Sequence, residues 1–234
     1  MNKDKLLIFD YGATLDTNGV HWYYVFKKEH EKHNPFLSDE QMRDAYVYAE
    51  QSIAKQKLIN PEDNFLQTLN IKVKLQYERL FSQGVILKSM YHIEEVAEDC
   101  YLFAKENTAK VRQILETLSD KYALAIVSNF YGNLNSVLND YGLSQLFSCV
   151  VESAVLGVSK PDKRLLLTAL KQTNMRAEQT TVIGDSYKKD IVPAKQVGCS
   201  TVWLKGMGWR DNPVQTPMAD KIITDILSLP ENLI

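Results

Sequence analysis

Five short apolar runs are spaced along the chain: "LLIF" at 6–9, "ALAIVSN" at 123–129, "SCVVES" at 148–153, "TVIGD" at 181–185 and "TVWL" at 201–204. Each is of strand length and almost continuously apolar, the pattern of strands buried on both faces. Between successive runs of the C-terminal half lie segments with helical apolar spacing. They include "NLNSVLNDYG" ending at Gly142, "DKRLLLTALKQ", and "DIVPAKQVG" ending at Gly198. Strand, crossover helix and strand in repetition leave few folds open, and they predict an α/β chain with a parallel sheet. "KIIT" at 221–224 is a candidate last strand.

The region from Thr17 to Lys105 breaks that rhythm. In "SDEQMRDAYVYAEQSIAKQK", Ser38 and Gln41 have capping-box spacing, and Met42, Ala45, Tyr46, Ala49 and Ile53 fall on one helical face. Asn60 followed by Pro61 reads as a second helix start, with Phe65, Leu66 and Leu69 on the inner side and Gly84 as a later stop. A third helical stretch carries Ile93, Val96 and Ala97, and a helix near Ala109–Leu118 leads back to the sheet. The expected organisation is an α/β core of residues 1–16 and 105–234, interrupted by an all-helical insertion over 17–104. At 234 residues and 45% apolar composition, the chain can fill such a core.

Lys and Arg number 27 against 29 Asp and Glu, so no overall charge draws the chain to nucleic acid or an anionic membrane. "MNKDKLLIFD" has an apolar run too short for a signal segment or a membrane span, and a soluble, cytoplasmic protein is the expectation. Cys100, Cys149 and Cys199 are too far apart for a zinc site or a disulfide framework and read as reduced, small apolar residues. Oligomeric state has no sequence signal.

Polar residues gather where the apolar runs stop. Asp10 ends the first, Ser128 and Asn129 the second and Asp185 the fourth, while Lys160 follows the third after a loop. In a parallel sheet these ends share one edge, so residues far apart in sequence converge there. Any one of them also fits a plain strand end, since turns favour such residues.

Four stretches in this order, "FDYGAT", "VSN", "SKPD" and "GDSYKKD", resemble the haloacid dehalogenase-like hydrolase superfamily. The likeness covers about residues 1–16 and 105–210, and the position of the helical insertion resembles that superfamily's C1 cap. It implies a Rossmann-like core with a mobile cap and a phosphatase acting on a small phosphorylated metabolite. By the same resemblance Asp10 is the nucleophile, forming an aspartyl-phosphate. Ser128 and Asn129 bind the phosphoryl oxygens, and Lys160 stabilises their charge and that of Asp10. Mg²⁺ is the implied cofactor, held by Asp10, the Gly12 carbonyl and Asp185, with Asp190 ordering its surroundings. Acidic groups crowded beside a phosphate favour a hard cation on charge grounds as well.

Gly12 departs from the pattern. Most phosphatases of the superfamily have Asp at this position as the acid/base, and losing a positioned acid/base costs about 10² to 10⁴ in rate. One outcome is a phosphatase that draws its proton from Asp16, His21 or Glu29, or whose leaving group needs little protonation. A second is a phosphonatase-like enzyme with a cap lysine, for which Lys27, Lys28, Lys55 and Lys57 are candidates by location. A third is a haloacid dehalogenase-like enzyme, against which the retained "GDSYKKD" counts. A non-catalytic protein that binds a phosphorylated ligand or protein partner is a fourth reading. Of the remaining signals, "KKEHEKH" with His30 and His33 reads as a solvated charged stretch. "HWYYVF" at 21–26 reads as cap packing with some residues facing the pocket, and "GMGWRD" at 206–211 as a loop at the active edge, with Trp209 and Arg210 as candidate substrate contacts.

Overall fold

The computed structural model of the protein describes residues 3–209 and 217–233; Arg210 lies outside them. β1 (Leu6–Phe9), β2 (Ala123–Ser128), β3 (Cys149–Glu152), β4 (Thr180–Gly184), β5 (Ser200–Leu204) and β6 (Lys221–Ile223) form one parallel sheet in the order β3-β2-β1-β4-β5-β6. Residues alternate between its two faces. Leu7 and Phe9 join one core with Leu124, Ile126 and Val202. Leu6 and Ile8 join another with Ala125, Val127 and Leu165. Both faces are covered, which is why the strands read as continuous apolar runs, each fully buried side chain contributing about 1.5–3 kcal/mol.

The strand order reverses at β1. Phe9 lies opposite Ile126 of β2 on one side and Ile183 of β4 on the other. At such a reversal the connections leave in opposite directions and open a crevice beyond the carboxyl ends of the strands. The residues just after β1 and β4 therefore share that crevice.

Four long helices intervene between β1 and β2: α1 (Trp22–His33), α2 (Asp39–Gln56), α3 (Phe65–Ser82) and α4 (Ile93–Ser119). The result is a Rossmann-like core carrying a helical cap. α2 starts at the expected capping box, with the Ser38 hydroxyl accepting from the Gln41 amide at 3.2 Å and Gln41 Oε1 accepting from the Ser38 amide at 2.9 Å. α3 does not start at Asn60–Pro61. There Asp63 accepts from the Asn60 amide at 2.7 Å and closes a turn. The helix begins at Phe65 instead, under a second capping box between Asn64 and Gln67. The two helical stretches expected at 93–97 and 109–118 are one helix of 27 residues, roughly 40 Å long. Neither Gly nor Pro interrupts it, and its buried stripe of Val96, Ala97, Cys100, Ala104, Thr108, Val111, Leu115 and Leu118 is continuous.

The shorter helices α5 (Leu134–Asp140), α6 (Ser153–Leu156), α7 (Arg164–Thr173) and α8 (Val192–Val197) complete the core. The three cysteines are buried and unbonded. Among the described residues no helix is long and apolar enough to cross a membrane.

The "KKEHEKH" stretch is not uniformly solvated. Glu29 is buried and pairs with Lys32, and His33 stacks on His92 with ring centroids 4.5 Å apart. His30 is fully buried, its Nε2 2.8 Å from Gln76 Oε1, because the apolar face of α1 includes its position. Burial lowers the His30 pKa to about 4, only partly opposed by the Gln76 contact. An unfolded histidine takes up a proton at higher pH, so the neutral buried form contributes stability above pH 6.5 that is lost as pH falls toward 4. His30→Gln is expected to flatten the fall of the unfolding midpoint between pH 6.5 and 4, measured by thermal denaturation beside the unaltered protein. An unchanged slope would refute the assignment.

Candidate active site

The loop leaving β1 turns sharply. Leu15 donates to the Tyr11 carbonyl at 2.9 Å, Gly19 donates to the Ala13 carbonyl at 2.7 Å, and Ala13 has φ 66°. Asp16 holds this turn together, one carboxylate oxygen accepting from the Ala13 amide at 2.7 Å and the other from Trp22 Nε1 at 2.8 Å. Gly19 and Gly206 meet back to back, where a Cβ on Gly206 would lie 2.1 Å from the Gly19 carbonyl oxygen. This contact ties the first loop to the one after β5.

The turn delivers Asp10 to the mouth of the crevice. Its Oδ1 accepts from the Tyr11 amide at 2.8 Å and the Ser128 hydroxyl at 2.7 Å, and lies 2.8 Å from Lys160 Nζ. Its Oδ2 accepts no hydrogen bond among the described residues, so one oxygen is anchored and the other free. Lys160 is buried and also donates to Asp190 Oδ1 at 2.6 Å. Burial pulls the lysine pKa down, but the flanking carboxylates of Asp10 and Asp190 raise it further than that, so the ammonium stays charged. Asn129 does not point away from this assembly: its Oδ1 accepts from the Lys160 amide at 2.7 Å and its Nδ2 donates to the Lys160 carbonyl at 3.3 Å.

Asp185 follows β4 and exchanges hydrogen bonds with Thr14, whose hydroxyl donates to Oδ1 at 3.3 Å and accepts from the Asp185 amide at 3.1 Å. Asp190 sits one turn further on, its Oδ2 accepting from the Ser186 amide at 2.9 Å. Gly184 makes room for it, since a Cβ there would lie 2.5 Å from the Asp190 carboxyl. Oxygens of Asp10, Asp185 and Asp190 lie within 4.8 Å of one another. Burial, reinforced by Asp10 and Asp190, holds the Asp185 pKa well above the usual carboxylate range. Burial likewise raises that of Asp190 to about 6 against the lowering effect of Lys160. Three acids against one ammonium leave a deficit of positive charge, and carboxylate oxygens of Asp10 and Asp185 are hard donors. The Gly12 carbonyl, which accepts no hydrogen bond among the described residues, is a third. This donor set fits a divalent cation such as Mg²⁺.

Asp10, Gly12, Ser128, Asn129, Lys160, Asp185 and Asp190 come together at this edge, while Arg210 lies outside the described residues. The substitutes considered for the missing acid do not stand free. Asp16 spends both oxygens on its own loop, and burial raises its pKa to about 7. His21 lines the cleft but its Nδ1 accepts from the Tyr23 amide at 3.2 Å, and burial lowers its pKa to about 4, leaving it neutral. Glu29 is engaged with Lys32. Lys27 pairs with Asp39, and Lys28, Lys55 and Lys57 are exposed on the cap; none of the four lines the cleft. Among lysines of the cap, Lys72 does line it, accompanied by Glu50 and Tyr131. In sequence, Thr68, Lys72 and Gln76 form only a polar row at four-residue spacing on an otherwise apolar helix face, and Thr14 shows only as the last letter of "FDYGAT".

Lys160 is the sole cation touching both Asp10 and Asp190 among the described residues. Lys160→Met is expected to destabilise the fold by about 3–5 kcal/mol at pH 8 in denaturant titrations, because buried carboxylates lose their partner. The loss should shrink at pH 5, where Asp190, already raised to about 6, takes up a proton. An equal loss at both pH values would contradict the charge argument.

The profile described as haloacid dehalogenase-like hydrolase matches residues 42–204. A phosphoglycolate phosphatase of Vibrio cholerae is 27% identical over 203 residues, 84% of this chain and 82% of that protein. A glyceraldehyde 3-phosphate phosphatase of Pyrococcus furiosus is 35% identical over 92 residues, covering 39% of this chain and 38% of that one. Among solved structures, a putative hydrolase of the same family from Bacillus subtilis, bound to magnesium, superposes with a TM-score of 0.61 at 18% identity, over 99% of both chains. At that identity the likeness concerns the fold.

Proposed function

Because the chain belongs to the haloacid dehalogenase-like hydrolase family, we propose that it is a Mg²⁺-dependent phosphatase that opens small phosphate monoesters by attack of Asp10. The carrying observation is the asymmetry of that carboxylate. Oδ1 is held by Tyr11, Ser128 and Lys160, and Oδ2 is left free at the floor of the cleft. A fixed carboxylate with one unengaged oxygen is oriented for in-line attack on phosphorus. The small phosphorylated molecules named for the relatives support the same substrate class.

In this reading Oδ2 of Asp10 bonds to phosphorus as the ester oxygen departs, giving an aspartyl-phosphate that water then hydrolyses. The Ser128 hydroxyl and the Lys160 ammonium donate to phosphoryl oxygens as charge spreads over them. Asn129 keeps the Lys160 backbone in place, and Asp190 keeps its ammonium aimed at Asp10. Asp185, the Gly12 carbonyl and the Asp10 oxygen that does not attack would hold magnesium, with Asp190 ordering the surroundings, and the ion would supply positive charge against the repulsion between carboxylate and phosphate dianion. Gly12 contributes no proton, and with Asp16, His21 and Glu29 otherwise occupied the leaving group departs with little assistance. A Schiff-base role does not fit Lys72, the cap lysine of the cleft. Burial opposes the charged form of Lys72, yet Glu50 keeps its pKa raised, the reverse of what an amine nucleophile needs.

A single-turnover assay with an activated aryl phosphate is expected to give a burst that requires Mg²⁺ and is absent in Asp10→Asn. Ligand binding without a burst would instead identify a non-catalytic protein. Magnesium should also raise the thermal midpoint, and Asp185→Asn should abolish that shift. A Cβ on Gly12 meets no atom within 4 Å, so Gly12→Asp is sterically admitted. It should raise turnover of unactivated alkyl phosphates by 10-fold or more, roughly the lower part of the acid/base range, with a smaller effect on the aryl ester. Equal effects on both would overturn this account of Gly12.

A further inference from the structure

The cleft above Asp10 has a volume of about 930 Å³, and its polar roof comes from the cap. Lys72 of α3 is buried, yet its ammonium donates to the Tyr131 hydroxyl at 2.8 Å and lies 2.7 Å from Glu50 Oε1 of α2. The Tyr131 hydroxyl in turn donates to Glu50 Oε2 at 2.8 Å. The three groups close a ring that spans cap and core, since Tyr131 follows β2 by three residues. Nothing in the chemistry at Asp10 uses this ring.

We infer that the Lys72–Glu50–Tyr131 ring recognises an uncharged, hydroxylated leaving group and disfavours a carboxylated one; this rests on the phosphatase reading. An ammonium has three N–H donors, and two are committed to Tyr131 and Glu50, which leaves one. Glu50 Oε1 is buried beside the ammonium and accepts no hydrogen bond among the described residues, Oε2 accepts from Tyr131, and the side chain is 30% exposed, so the carboxylate keeps accepting capacity. A spare donor beside a spare acceptor complements a hydroxyl, which does both, or two hydroxyls on adjacent carbons.

Charge decides against the alternative. Lys72 bears the positive charge that a substrate carboxylate would seek, but Glu50 already neutralises it at 2.7 Å. A second carboxylate would meet Glu50 as well as Lys72, in a site where burial weakens solvent screening. An alcohol meets no such repulsion. The rings of Phe26 and Tyr131 lie 5.3 and 5.0 Å from the ammonium and further favour retention of the positive charge there, so Lys72 does not escape the pairing by losing its proton.

The test compares sn-glycerol 3-phosphate with D-3-phosphoglycerate, which share three carbons and a primary ester and differ in a hydroxymethyl against a carboxylate. Equivalent leaving oxygens keep the chemical step matched, so the ratio of kcat/KM reports recognition. The unaltered enzyme is expected to favour glycerol phosphate by about 10-fold or more, equivalent to 1.4 kcal/mol. Glu50→Gln, which frees Lys72 from its counter-charge, should move the ratio toward phosphoglycerate by about 10-fold. Parity or a preference for phosphoglycerate in the unaltered enzyme would overturn the inference, as would a ratio that Glu50→Gln leaves unmoved. Asp10-dependent turnover of an aryl phosphate, which has neither group, is measured in parallel. Its absence would remove the phosphatase reading and this inference together, whereas its presence with parity would remove the inference alone.

Discussion

The ammonium of Lys160, buried between Asp10 and Asp190, is the interaction on which the site depends. Without a cation at that point, carboxylates brought to the same edge by β1 and β4 would repel one another or take up protons. With it, Asp10 keeps one oxygen anchored and one free. The supporting contacts all serve this geometry. Asn129 clamps the Lys160 backbone from the end of β2, and Gly184 leaves the space that Asp190 occupies. A burial cost for four charged groups is tolerable only where each has several partners, and the crevice at the reversal of strand order is where the backbone brings such partners together.

The cap adds a second arrangement of buried charge with a different balance. The floor of the cleft has an excess of acids, a balance that suits a cation. The roof, made by Lys72, Glu50 and Tyr131, is close to neutral. In the proposed reaction a molecule spanning the two would meet ionic recognition at its phosphate and hydrogen-bond recognition at its other end. Substrate choice would then follow from α2, α3 and Tyr131, and the reacting groups from the ends of the strands.

Some of this was legible before any coordinates. Continuous apolar runs could only be strands buried on both faces, and polar residues at the ends of parallel strands had to share an edge. That places Asp10, Ser128 and Asp185 at one edge, and the resemblance of the four motifs adds Lys160 and the roles expected of all four. Asn60–Pro61 and Asn64 both have helix-start chemistry, and a side-chain contact from Asp63 settles the start of α3 on the second. The stripe of α4 shows in sequence as two local patterns, although neither Gly nor Pro breaks the helix between them. Asp16 looked equally able to be a proton donor or a turn residue, and only its contacts with Ala13 and Trp22 distinguish these.

By itself, the sequence determined the α/β architecture, the helical insertion and the set of groups gathered at one sheet edge, because strand and helix periodicities are local and strand ends follow from them. Tertiary structure alone decided which oxygen of Asp10 is free, that Asn129 holds Lys160, and that Lys72 faces the cleft where four surface lysines of the cap do not. Those outcomes depend on contacts between residues far apart in sequence, Ser128 and Asp10 being 118 positions apart. No local pattern encodes them, since packing between elements sets which side of a helix or carboxylate meets which neighbour.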